Sequence, residues 1–111
     1  MKNITFFSVL LSCLISSQSL EEVISGNHRS DENKARDQYR NPIETLNFFG
    51  IKNNMTVVEL NPGGGWYQEI LAPFLKDRGK YVSATYDPDS ESEYRRNSYQ
   101  AEMKRLKANK K

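Results

Sequence analysis

The stretch Met55-Thr56-Val57-Val58-Glu59-Leu60-Asn61-Pro62-Gly63-Gly64-Gly65-Trp66-Tyr67 decides how the rest of the chain reads. Residues 55–60 are apolar and β-branched, the composition of a buried strand. Residues 61–65 are a cluster that breaks regular structure. Trp66, Tyr67, Ile70, Leu71, Phe74 and Leu75 then recur at helical spacing, and Pro73 predicts a kink. A strand, a glycine run and a helix together form a ligand-holding geometry. Glycines let the backbone approach a ligand, and the helix start presents free N–H groups.

Downstream, Asp77-Arg78-Gly79 is a turn, residues 80–86 are a second strand, and Asp87-Pro88-Asp89 closes it. Residues 90–107 read as a polar helix. Upstream, residues 20–26 predict a short helical turn. Residues 27–40 are almost wholly polar, with Ser30 placed to cap a helix that lacks an apolar stripe and so buries itself weakly. Asn41-Pro42 stops that helix, and Pro42 can open the next one. Ile43, Leu46, Phe48 and Phe49 give the new helix an apolar side, and Gly50 ends it. Strands alternating with helices imply parallel pairing through a right-handed crossover. The predicted class is α/β, the N-terminal portion of a Rossmann-like doubly wound parallel sheet, with two strands and flanking helices. Two strands do not make a stable open sheet, so the chain reads as a truncated domain.

The 111 residues carry a net charge of +2, 37% hydrophobic and 27% charged residues. That balance excludes a strongly basic nucleic-acid binder and an acidic tail protein. Lys104, Arg105, Lys107, Lys110 and Lys111 read as a solvated helix end, without the aromatic interleaving of a base-stacking platform. One Cys and one His exclude a disulfide scaffold and a His/Cys zinc cluster, and no metal is expected. His28 reads as a surface residue.

The first residues have the layout of an export signal: basic Met1-Lys2-Asn3, an apolar run over residues 4–15, then Ser16-Ser17-Gln18-Ser19. The run is too short to span a bilayer. Residues 1–19 are therefore expected to be a signal peptide cleaved after Ser19, with small Ser17 and Ser19 before the cut. The protein is then periplasmic or secreted, with no stable membrane span after cleavage. Leu10-Leu11-Ser12-Cys13 offers an alternative, a lipoprotein anchored through Cys13.

Two cofactor classes fit the glycine loop. The dinucleotide pattern G-x-G-x-x-G would put glycines at 63, 65 and 68, but position 68 is Gln. A phosphate loop is excluded because no Lys-Ser or Lys-Thr follows the glycines. The other pattern is an acid near the strand end followed by spaced glycines. Glu59, Asn61, Gly63 and Gly65 fall at acid-x-G-x-G-x-G, with Asn at the first glycine position. This resembles motif I of the class I S-adenosyl-L-methionine-dependent methyltransferases.

The resemblance extends along the chain. Arg36-Asp37-x-x-Arg40-x-Pro42-x-Glu44-Thr45-Leu46-x-Phe48-Phe49-Gly50-Ile51 precedes the strand. Pro62-Gly63-Gly64-Gly65-Trp66-Tyr67-x-Glu69-Ile70-Leu71-Ala72-Pro73 follows it, and Asp87-Pro88-Asp89-Ser90-Glu91-Ser92-Glu93-Tyr94 comes later. Together these segments are similar to a bacterial subgroup of predicted methyltransferases, and the similarity spans residues 27–100. It implies that residues 20–111 form a partial methyltransferase-like domain that takes S-adenosyl-L-methionine, a small-molecule cofactor. Glu59, Asn61, Gly63, Gly64 and Gly65 would hold it. Asp87, at the end of the second strand, would bond its ribose. Arg36, Tyr39, Arg40, Trp66 and Tyr67 are candidate lid or substrate residues, and no residue is assigned a catalytic role. The later strands of such a domain are missing, so the chain alone is expected to bind the cofactor without high affinity. Plainer readings stand beside these: Glu59 as an acid bonded to backbone amides, the glycines as a tight turn, Asp87 as a helix cap. Two rival functions remain: a non-catalytic exported binding module on the same half-fold, and a fragment of a nicotinamide-dependent oxidoreductase, disfavoured by Gln68.

Overall fold

The computed structural model describes residues 17–108. Cys13 and almost all of the expected signal segment lie outside the described residues. The elements run α1 (Leu20–Ser25), α2 (Asp31–Ala35), α3 (Asp37–Arg40), α4 (Pro42–Phe48), β1 (Thr56–Leu60), α5 (Gln68–Leu75), β2 (Lys80–Ala84) and α6 (Glu93–Ala108). The two strands pair in parallel, Thr56 opposite Lys80 through Leu60 opposite Ala84, and α5 is the crossover between them. The result is a mixed α/β unit with a two-stranded parallel sheet and flanking helices, compatible with part of a Rossmann-like fold.

Local chemistry sets the boundaries. Ser19 caps α1 in a reciprocal capping box with Glu22: the Glu22 amide donates to Ser19 Oγ at 3.2 Å, and the Ser19 amide donates to Glu22 Oε2 at 2.8 Å. Cleavage after Ser19 would remove that cap. Ser30 caps α2 as expected, accepting from the Asn33 amide at 3.3 Å. Asn41 ends α3 in the left-handed region at φ 43°, a conformation Asn tolerates better than most residues, and Pro42 begins α4. Gly50, at φ 68°, closes α4.

The expected kink at Pro73 takes a specific form. Proline has no N–H, so the carbonyl four residues earlier, that of Glu69, loses its helical donor. His28 Nε2 replaces it, donating to the Glu69 carbonyl at 2.9 Å. His28 is exposed but is therefore a structural donor.

Leu20, Val23, Leu46, Trp66, Ile70, Leu71 and Leu75 form the core, with Ile43, Val57 and Tyr81 packed against it. The expectation that β1 is buried throughout is corrected here. Its residues alternate: Val57 and Glu59 are half-buried, whereas Val58 is 53% and Leu60 79% exposed. Side chains alternate across a strand, and α5 and α6 contact the sheet on the Val57 and Glu59 side, where Tyr81 and Ser83 also lie. A doubly wound sheet has both faces covered; among the described residues only this face is.

A second correction concerns residues 27–40, expected to dock weakly. Arg29 and Asn33 are buried, 3% and 5% exposed. A polar network holds the segment instead of an apolar stripe. Arg29 grips Asp37 with both terminal nitrogens, at 2.6 and 2.8 Å, and donates to the Ile24 carbonyl at 2.8 Å. A fork-on-carboxylate pair is among the stronger charged contacts available to a side chain.

Candidate functional site

The site begins where β1 ends. The Asn61 amide donates to the Ala84 carbonyl at 2.7 Å, extending the ladder by one bond, and then the chain turns. Asn61, Gly63 and Gly65 all have positive φ, at 54°, 55° and 79°. The glycine-like position 61 thus adopts the left-handed conformation, which Asn is one of the few other residues to accept. Asn61 Nδ2 also donates to the Tyr86 hydroxyl at 3.0 Å. The Gly65 amide returns to the Pro62 carbonyl at 2.9 Å and tightens the bend.

Two side chains from opposite flanks hold this bend through its carbonyls. Asn33 Nδ2, from α2, donates to the Gly64 carbonyl at 3.3 Å. Arg105, from α6, donates to the Gly63 carbonyl at 2.7 Å. Behind the bend, Trp66 is buried and its indole N–H donates to Asp37 Oδ1 at 2.9 Å and to the Asn33 carbonyl at 3.1 Å. The Arg29 guanidinium beside Asp37 holds that carboxyl below the usual carboxylate range, and the Trp66 hydrogen bond adds to the effect.

Two cavities flank the bend. The larger, about 430 Å³, is lined by Glu59, Asn61, Gly63, Gly64, Trp66 and Tyr67, with Arg36 and Arg40 on its helical wall. The smaller, about 310 Å³, lies on the α6 side, between the bend and Thr85, Tyr94, Ser98, Glu102 and Arg105. The first falls in the size range of small-molecule sites, about 300–1,000 Å³.

Glu59 is the acid of the larger cavity. Its Oε2 accepts from the Tyr81 hydroxyl at 2.6 Å. Burial pushes the Glu59 carboxyl up and outweighs the Tyr81 hydrogen bond, which pulls it down; the Glu102 charge adds to the rise. Burial and the neighbouring Glu59 also push the Tyr81 phenol up, so it remains a donor. A half-buried carboxyl with one donor has room to gain from a cation that enters beside it. Arg40 lies flat against the wall, its guanidinium carbon 4.9 Å from the Trp66 ring centroid, and Tyr67 meets Trp66 edge to face at 4.7 Å.

Eight expected site residues, Glu59, Asn61, Gly63, Gly64, Arg36, Arg40, Tyr67 and buried Trp66, line this cavity. Gly65 shapes the bend from behind: a Cβ there would come within 2.9 Å of Arg105 Nε. Tyr39 is 79% exposed and outside both cavity walls. Asp87 is exposed and accepts the Asp89 amide at 2.9 Å in an Asx turn ahead of α6 (Glu93–Ala108); it neither caps that helix nor lines either cavity.

The sequence reading missed the anchor beneath the bend. Glu102, 1% exposed, accepts from Gln68 Nε2 at 2.8 Å and from Ser83 Oγ at 2.7 Å, and pairs with Arg105 through its other oxygen. Arg105 Nε in turn donates to Gln68 Oε1 at 3.0 Å. The helix end read as solvated is thus tied to the core by two of its charges. An acid and a base three residues apart in a helix full of both were the only sequence signal, and it does not distinguish this pair from its neighbours.

No family model, curated protein or solved structure matches this chain. Fold and site define an α/β unit with a glycine-rich bend at the carboxyl end of a parallel sheet, where open α/β folds place their ligands. Among the described residues no group of His, Cys, Asp and Glu could hold a metal ion, and no helix is long and apolar enough to cross a membrane.

Proposed function

We propose that this chain carries the cofactor-binding part of a class I S-adenosyl-L-methionine-dependent methyltransferase, in an exported protein. One observation carries the reading: the half-buried Glu59 carboxyl and the left-handed bend through Asn61, Gly63 and Gly65 share one cavity at the strand end. When bound, that cofactor supplies a methyl group on a cationic sulfur. Glu59 would bond its ammonium group, a fit supported by a carboxyl that burial leaves under-compensated. Gly63 and Gly64 leave space along the bend, since a Cβ at Gly64 would meet nothing within 4 Å. The chain's contribution to the reaction is then positioning, with no acid–base group required of it.

Binding is expected to be weak, because Asp87 stands away from the cavity and the Val58 and Leu60 side chains are uncovered. The test is therefore nuclear magnetic resonance of the full chain with millimolar S-adenosylhomocysteine. Shifts at the Glu59, Gly63, Gly64 and Trp66 indole N–H signals, absent with NAD, support the reading. No shift, or equal shifts with NAD, refutes it. The exposed Val58 and Leu60 favour a second reading, a non-catalytic interaction module on the same half-fold. That reading gains if the cofactor analogue has no effect while the chain still folds. Export is tested by the intact mass of the protein recovered from the periplasm or medium, which should lack the residues before the cut; the full mass in the cytoplasm alone counts against it.

A further inference from the structure

Four arginines surround the glycine bend, and they are not alike. Arg29 and Arg105 are each tied to a carboxylate, Asp37 and Glu102 respectively. Arg36 and Arg40 line the larger cavity, and among the described residues neither makes an ion pair. They stand four residues apart, at the junction of α2 with α3 and at the end of α3, and both line the same cavity as Glu59. Arg40 is held in place by the Trp66 face.

We propose that Arg36 and Arg40 seat the methyl acceptor, and that the acceptor is a small organic anion bearing a carboxylate or phosphate. This rests on the reading of the cavity as a sulfonium-cofactor site. The argument is one of charge. The cavity wall offers two guanidinium groups against the single carboxylate of Glu59. The cofactor adds a sulfonium and an ammonium against one carboxylate, so it enters with a net positive charge. One of its cations can face Glu59, and its own carboxylate can balance at most one arginine. An excess of positive charge remains at Arg36 and Arg40; Arg40 is exposed, so water screens part of it, and an incoming oxyanion gains from the remainder. Guanidinium forks suit oxyanions by geometry as well as by charge. The transfer itself balances without a further reactant. A lone pair on the acceptor bonds to the methyl carbon, the carbon–sulfur bond breaks with its electrons left on sulfur, and any proton on the acceptor atom passes to water.

The chain's single tryptophan is Trp66, against which Arg40 lies, so its emission reports on the pair. The full chain is titrated with sodium phosphate and with sodium acetate, against sodium chloride at matched ionic strength. A saturable change is expected with at least one oxyanion and none with chloride; the responding oxyanion tells phosphate from carboxylate acceptors. In Arg36→Gln, with its fold checked by circular dichroism, the apparent affinity should fall by about tenfold or more. The titration is repeated with saturating S-adenosylhomocysteine, where the oxyanion affinity should be unchanged or raised. Absence of an oxyanion response, a response equal to that of chloride, or one that survives Arg36→Gln overturns the proposal. So does competition by S-adenosylhomocysteine, which would give the arginines to the cofactor's own carboxylate. Should the analogue fail to shift the bend amides, the cofactor reading falls separately, since the oxyanion titration without it reads the arginines directly.

Discussion

Replacing Glu102 by Ala should destabilise the whole molecule more than any other single charge change on α6. The side chain is 1% exposed and serves three donors: Gln68 Nε2, Ser83 Oγ and the Arg105 guanidinium. A buried donor left without its acceptor costs about 1–3 kcal/mol. The Ser83 hydroxyl can rotate towards another partner, so about 1 kcal/mol is assigned to it, and about 1–2 kcal/mol to the Gln68 amide. Arg105 is 24% exposed at its side chain, so water recovers part of its loss and about 1 kcal/mol remains. The sum, about 3–4 kcal/mol, lies within the range of about 3–5 for breaking a buried pair by removing one partner. For a domain of this size that is a fall of more than about 10 °C in melting temperature. Urea unfolding followed through Trp66 emission measures it. Glu102→Gln keeps the shape and one acceptor and should lose about 1–2 kcal/mol. Glu102→Ala also removes one of the two acceptors of Arg105 Nη2, the other being the Gly63 carbonyl, so the Gly63 and Gly65 amide signals should move in the native state. A Glu102→Ala variant within about 0.5 kcal/mol of the parent, the range of an ordinary surface change, would refute the anchor.

The neighbouring glycines should separate folding from binding. Gly65→Ala, at φ 79° with Arg105 Nε 2.9 Å from the new Cβ, should cost about 1–2 kcal/mol or more in urea unfolding. Gly64→Ala, whose Cβ would meet nothing within 4 Å, should unfold like the parent yet weaken the amide shifts caused by S-adenosylhomocysteine. The two carboxyls should act oppositely on the pH dependence of stability. Asp37 is held below its ordinary value by Arg29, so its contribution is complete above the ordinary carboxylate range and is lost as pH falls through the lowered native value. Asp37→Asn should flatten that acid limb. Glu59 is raised by burial, so ionising it costs stability as pH climbs from about 4 through the raised native value, and Glu59→Gln should lose less over that window. Parallel acid titrations of both variants check the signs. Finally, His28→Ala removes the donor to the carbonyl that Pro73 leaves free, and should speed amide exchange in α5 around Pro73.

Local signals set the order of elements and most of their ends, although the one helix expected between Ser30 and Asn41 is two, α2 and α3, broken at Arg36. Ser30, Pro42 and Gly50 act where side-chain caps and glycine conformations act, within a few residues, so neighbours along the chain suffice to read them. The glycine bend was legible for the same reason: its positive φ values are a backbone property of Asn61, Gly63 and Gly65 themselves. The strand was legible, its burial was not, because whether Val58 and Leu60 are covered depends on which elements reach that side of the sheet.

What tertiary structure alone decided is which charges matter. By residue type and surroundings Arg29, Arg36, Arg40 and Arg105 look equivalent in a polar sequence; only the family resemblance singles out Arg36 and Arg40. Folding gives the first and last to the carboxylates of Asp37 and Glu102 and leaves the middle two on a cavity wall; each pair is close in sequence, but distant partners hold its carboxylate, Trp66 on Asp37 and Gln68 and Ser83 on Glu102. Asp87 shows the same limit from the other side: its spacing after the glycines suited a ligand, yet an Asx turn with Asp89 keeps it at the surface. Spacing along a chain determines local conformation, and only the packed fold determines which side chains meet.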